Sequence, residues 1–178
     1  MAAVGVIVAG FLAAASIWRF GFTWTLPPYL AYSVLSAVLI VIDLVSKRLP
    51  NALTLPAIPV TAGLLALSAL TDDQAGAFVR ALCAGGVLLG LYLALHLISP
   101  AGLGLGDVKL AASLGMVLGW ISWSALVWGA ALGFIIAALV SLGLLDTRRA
   151  TRRSDVPFGP SMLAGGWLVI LATGFAPG

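Results

Sequence analysis

A bundle of membrane-spanning helices is the fold this sequence predicts, and three observations predict it. Hydrophobic residues make up 62% of the 178 positions and charged residues only 8%, with a mean hydropathy of +1.15, far above that of a soluble domain. The apolar residues fall into runs, most of them close to the roughly 20 residues a helix needs to cross a bilayer. Those runs lack the in-out alternation of barrel strands, and a helix satisfies its own backbone in lipid.

Seven runs read as helices, at about 2–18, 29–46, 52–70, 76–98, 108–120, 123–145 and 160–176. The first, MAAVGVIVAGFLAAASIW, has no basic residue ahead of its apolar stretch and a length that suits a span. It is therefore expected to be a retained helix and not a cleaved signal peptide. The second ends in VLIVIDLVSKRLPN, and the third and fourth are parted by the polar TDDQ. The fifth has 13 residues, about 20 Å of helix, short of a hydrocarbon core of roughly 30 Å. The loop before it, Gly102–Gly106, is accordingly expected to dip below the membrane surface. Asp107 would then open its helix inside a protein-lined, water-reachable recess, with Asp43 at similar depth facing it. The sixth run leads into TRRATRRSD, read as a loop. Pro160 opens the seventh behind Pro157, Phe158 and Gly159, which shape a turn and receive no chemistry. Residues 1–178 are read as one integral-membrane domain.

Charge bias sets the orientation, because loops rich in Lys and Arg stay in the cytoplasm. Lys47, Arg48, Lys109, Arg148, Arg149, Arg152 and Arg153 fall on one side. Arg19 and Arg80 fall on the other, with Asp72, Asp73 and the tryptophans Trp18, Trp24, Trp120 and Trp123, which suit an interfacial belt. The N-terminus is expected to be cytoplasmic and the C-terminus external.

Several function classes are disfavoured. The net charge of +3 is explained by topology, and with no soluble basic module nucleic acid is not an expected partner. The single cysteine, Cys83, lies in an apolar run and reads as a small packed residue, so no internal disulfide or thiolate cluster can be built. His96, the one histidine, reads as a satisfied interface residue and offers no metal-ligand set. Small residues four apart, Gly86 with Gly90, Gly115 with Gly119 and Gly129 with Gly133, are expected to let helices approach closely in lipid.

Polar groups near the membrane carry the chemistry. All six acidic residues are aspartates, and two stand apart from the loops. Asp43 lies a full turn inside Lys47, where it reads equally as an i, i+4 ion pair or as a functional carboxylate. Asp107 alone reads first as an N-terminal helix carboxylate favoured by the dipole. Together they read differently, since both lie on the cytoplasmic side of separate helices that a tight bundle can bring side by side. Intramembrane acids persist when something uses them. Two converging carboxylates suit an aspartic peptidase; a proton- or cation-coupled transporter using the same pair is the alternative, and a catalytically inactive scaffold a third.

A resemblance then enters on three segments. GLGD at 104–107, continued by VKLAASLGMVLG, resembles the GxGD signature of the type IV prepilin peptidases, membrane aspartic proteases. DLVSKRLPNALTLP from Asp43 is similar to that family's other catalytic segment, and VPFGPSMLAGG to its closing one. The similarity covers about residues 27–175, leaving the helix at about 2–18 as an addition. It implies removal of a short basic leader from prepilin or pseudopilin precursors at the cytoplasmic face of a bacterial plasma membrane, with Asp43 and Asp107 as the catalytic aspartates. No metal or other cofactor is called for.

Gly104 and Gly106 would permit unusual backbone conformations and keep side chains out of the way of an extended substrate strand. Lys109 reads equally as a substrate contact or a cytoplasmic anchor. Many bacterial members of the family carry a cysteine-paired cytoplasmic insertion associated with N-methylation. Here the corresponding connection is RFGFTWTLPPY, so a minimal, peptidase-only form is expected.

Overall fold

The computed structural model describes residues 2–46, 49–100, 103–146 and 158–173. These form seven helices: α1 (Ala2–Phe20), α2 (Leu26–Ser46), α3 (Asn51–Thr71), α4 (Ala75–Ile98), α5 (Leu105–Ile121), α6 (Trp123–Asp146) and α7 (Gly159–Ala172). α1, α2, α3, α4 and α6 are long and apolar enough to cross a membrane, and the fold is a helical membrane bundle. Lys47, Arg48, Gly102, Arg148, Arg149, Arg152, Arg153, Asp155 and Pro157, which figure in the sequence reading, lie outside the described residues.

α5 is the axis of the bundle. From Val108 to Trp120 every residue except Lys109 is buried; α4 packs along its length, and α3, α6 and α7 also touch it. It starts at Leu105, earlier than expected, because Asp107 reaches back to the backbone N–H of Gly104 at 3.1 Å. That satisfies one of the donors every helix N-terminus leaves over. Asp107 thus sits in the first turn and does not open the helix. With 17 residues α5 extends about 26 Å, still less than a full hydrocarbon core.

The other end of α5 is finished by Arg80 of α4. Its Nε donates to the Gly119 carbonyl at 2.7 Å, and its Nη2 to those of Trp120 at 2.6 Å and Ile121 at 3.2 Å. A cation on the carbonyl end also suits the helix dipole. Ser122 alone separates α5 from α6. Its N–H donates to the Leu118 carbonyl at 3.1 Å, and its hydroxyl accepts from Ala125 N–H at 3.0 Å, so one residue caps two helices.

Close approach is built from glycines on α5, α6 and α7. A β-carbon at Gly115 would lie 2.7 Å from the Ala84 carbonyl oxygen, one at Gly133 3.1 Å from Met162 Cα, and one at Gly129 2.5 Å from Leu118 Cδ1. Gly119 meets Ala84 and Ala81 of α4 in the same way. Gly86 and Gly90 do not take part, because nothing lies within 4 Å of a β-carbon at either position.

Two further expectations are corrected. Trp120 is 5% exposed and belongs to the core and not to an interfacial belt, whereas Trp18, Trp24 and Trp123 are exposed. Cys83 is exposed and not packed. The physical reason is common to all of these: lipid is as apolar as the bundle interior, so an apolar or small residue reads the same on either face of a membrane helix.

Candidate active site

One end of the bundle gathers the C-terminal ends of α2 and α4 with the N-terminal ends of α3, α5 and α7. Asp43 lies in the last turn of α2, 4% exposed, and Asp107 in the first turn of α5, 8% exposed. Each holds a helix entrance through one carboxylate oxygen. Asp43 Oδ2 accepts from the Gly159 N–H that opens α7 at 3.1 Å, as Asp107 Oδ2 accepts from Gly104 at 3.1 Å. A carboxylate at such a position also meets the favourable end of the helix dipole. The second oxygen of Asp107, Oδ1, is buried with no hydrogen-bond partner among the described residues.

Leu49, in the α2–α3 connection, links the two entrances. A β-carbon at Gly106 would lie 2.6 Å from Leu49 Cβ and 3.1 Å from its carbonyl oxygen, and one at Gly159 would lie 3.4 Å from Leu49 Cδ1 and 2.7 Å from Asp43 Oδ2. The residue before Asp107 and the residue bonded to Asp43 are therefore packed on a single leucine. The aspartates lie within electrostatic reach of each other.

Neither glycine of the pair takes the unusual backbone conformation expected of it. Gly104 has φ −73° and ψ 150°, extended backbone open to any residue, and Gly106 is not among the positive-φ glycines. Gly106 is small because Leu49 occupies the space beside it. Gly104 is exposed at the mouth of the site.

Lys109 Nζ donates to Asn51 Oδ1 at 2.7 Å, tying α5 to the start of α3 beside the site. His96 Nδ1 lies 2.6 Å from the Leu103 carbonyl oxygen; a carbonyl only accepts, so Nδ1 carries the hydrogen. This bond fastens the end of α4 to the loop before Gly104, the satisfied role read from the sequence.

One contribution escaped sequence reasoning, and another was read there as a turn. Gly159, given no chemistry there, supplies a backbone N–H to Asp43, and a backbone donor leaves no mark on residue identity. Phe158 before it packs against Tyr92 and Phe134, with ring centroids 5.9 and 5.2 Å away, and Tyr92 and Phe134 are 5.4 Å apart. This aromatic trio underlies the turn that presents Gly159.

Chemically, the arrangement offers two buried carboxylates on separate helices, each fixed by a backbone donor through one oxygen.

The profile of the type IV leader peptidase family matches residues 30–145. The chain is 35% identical to a prepilin leader peptidase/N-methyltransferase of Aeromonas hydrophila over 136 residues, covering 73% of this chain and 44% of the relative. It is 32% identical to one of Bacillus subtilis (strain 168) over 169 residues, 95% of this chain and 64% of the relative. A third relative, leader peptidase HopD of Escherichia coli, is 33% identical over 147 residues, 82% of this chain and 92% of the relative. The chain spans about half the length of the first of these relatives. No solved structure matches it significantly.

Proposed function

Because the chain belongs to the type IV leader peptidase family, we propose that it is a membrane aspartic endopeptidase that removes the short basic leader from prepilin-like precursors. The observation that carries this reading is the pairing of Asp43 and Asp107, two buried carboxylates on different helices fastened around Leu49. Burial of two acids at one end of an apolar bundle costs folding energy and persists where it is used.

The reaction follows from a dyad holding one proton between its members. The ionised carboxylate takes a proton from water as the water oxygen attacks the scissile carbonyl carbon. The protonated one hydrogen-bonds the carbonyl oxygen and stabilises the charge that develops there. Collapse of the tetrahedral species breaks the C–N bond. The departing amine takes a proton from the dyad, which returns to its starting state with a new N-terminus on the precursor and a new carboxylate on the leader.

The substrate strand runs past exposed Gly104, while Gly106 keeps the α5 entrance tight against Leu49 and Lys109 anchors α5 to α3. The whole chain acts as one domain in a bacterial plasma membrane, with the site end cytoplasmic, where a basic leader remains when the apolar segment behind it enters lipid. The proposal covers the peptidase step and assigns no methyl transfer.

Co-expression with candidate precursors tests the function. The expected result is a shortened precursor whose new N-terminus lies at the end of the basic leader; unchanged length with every candidate contradicts it. Orientation has its own test. A reporter fused after Arg153 is expected to read cytoplasm and one inserted between Asp72 and Asp73 the outside, and the reverse pattern would put the aspartates on the wrong face.

A further inference from the structure

Tyr92 of α4 is fully buried, and its hydroxyl has no hydrogen-bond partner among the described residues. Its level in the bundle follows from the antiparallel register of α4 and α5. Ala81 lies against Gly119, Ala84 and Leu88 against Gly115, and Gly85 against Ala112. Beyond them His96 bonds the carbonyl of Leu103. Between these fixed points the register puts Tyr92 beside Asp107 and Val108. The Asp107 carboxylate is indeed within electrostatic reach of the Tyr92 hydroxyl.

The ring of Tyr92 rests on Phe158, the residue before the Gly159 that donates to Asp43. Tyr92 therefore touches the segment that holds one aspartate while standing level with the other. Asp107 Oδ1 and the Tyr92 hydroxyl are both buried and do not bond each other directly. A water between a buried carboxylate oxygen and a phenol can bridge them nearly as well as a direct bond. The Tyr32 hydroxyl, also buried without a partner among the described residues, lies within electrostatic reach of Tyr92 and close to Ser113, which is about 9 Å further along α5 than Asp107 at 1.5 Å per residue.

We propose that Tyr92 is a positioning residue of the Asp43–Asp107 site: its hydroxyl and Asp107 Oδ1 grip one water between them and so fix the carboxylate that Gly104 holds by its other oxygen. The inference rests on the aspartic-peptidase reading of the site. It gives α4 a part in the chemistry, since α2, α5 and α7 supply the aspartates and their backbone donors.

The test compares Tyr92→Phe, Tyr32→Phe and Asp107→Asn, each in the full chain in liposomes, cleaving a precursor. Tyr92→Phe keeps the aromatic trio and removes only the hydroxyl. Its kcat is expected to fall about tenfold, equivalent to about 1.4 kcal/mol, with KM unchanged, the pattern of an interaction that serves the transition state. Tyr32→Phe is expected to keep the wild-type kcat, and both tyrosine variants to melt within a few degrees of wild type. A wild-type kcat in Tyr92→Phe overturns the proposal, as does an equal fall in Tyr32→Phe or a fall matched by lost thermal stability, which would make the effect one of packing. Cleavage by Asp107→Asn would instead remove the site reading itself. An inactive Asp107→Asn beside a fully active Tyr92→Phe overturns only the role of Tyr92.

Discussion

Asp43→Asn and Asp107→Asn are each expected to abolish precursor cleavage, a fall of roughly 10²–10⁴-fold or more, as for loss of an acid-base group, while the variants stay folded in the membrane. The structure explains why Asn is the informative replacement. Each aspartate has a structural duty, accepting the N–H of Gly159 or of Gly104, and the amide oxygen of Asn can still accept it. What Asn cannot do is exchange a proton with water or a substrate carbonyl. Alanine would confuse the two effects by leaving a helix entrance uncapped, at a cost of about 1 kcal/mol. The check is immunoblotting of precursor and product beside a melting curve of each purified variant. Near wild-type cleavage by either Asn variant would exclude the dyad.

Gly165→Leu is expected to lower the unfolding temperature of the bundle more than any substitution at the Asp43–Asp107 site. Helix α7 lies so close to α6 at this point that a β-carbon would fall 2.7 Å from Gly133 Cα and against Gly133 N, both backbone atoms. No rotamer relieves a clash with backbone, so the helices must part. Overpacking of this kind costs about 1–3 kcal/mol and sometimes more. Because α7 begins at the Gly159 that holds Asp43, its displacement also carries the site out of shape. The matched control is Gly86→Leu on α4, where nothing lies within 4 Å of the new β-carbon, and a change within about 0.5 kcal/mol is expected. Thermal unfolding in detergent separates the two. If both variants melt together, the close approach of α6 and α7 is wrong.

How much of this was legible in the sequence divides along a physical line. The seven helices were, because run length is a direct consequence of bilayer thickness. Asp43 and Asp107 were also legible, since a carboxylate stands out against an apolar background. Which face of each helix turns inward was not. Gly86 and Gly90 have the same spacing as Gly115 and Gly119, yet only the second pair packs against a neighbour, and Trp120 looks like its exposed counterparts Trp18 and Trp24 until its burial is known. In water, polarity would have marked the outward face; in lipid it does not.

At the site the same limit takes another form. Gly159 acts through its backbone, Leu49 through its position between two glycines, and Tyr92 through a hydroxyl whose value depends on the register of α4 against α5. None of these is a property of residue type. The start of α5 was misjudged by three residues because the apolar run begins at Val108, whereas the helix begins where Asp107 can reach back to Gly104.

The central claim is that water, activated by the Asp43–Asp107 pair, cuts the leader from a precursor. It is tested most directly by a single turnover of the purified full chain in liposomes with a prepilin-like precursor in ¹⁸O-labelled water, both products being weighed by mass spectrometry. The account predicts a mature fragment beginning at the residue after the basic leader and one solvent oxygen in the new carboxylate of the leader, with neither product formed by Asp43→Asn or Asp107→Asn. An intact precursor, or a leader whose new oxygen does not come from solvent in the first turnover, would contradict it.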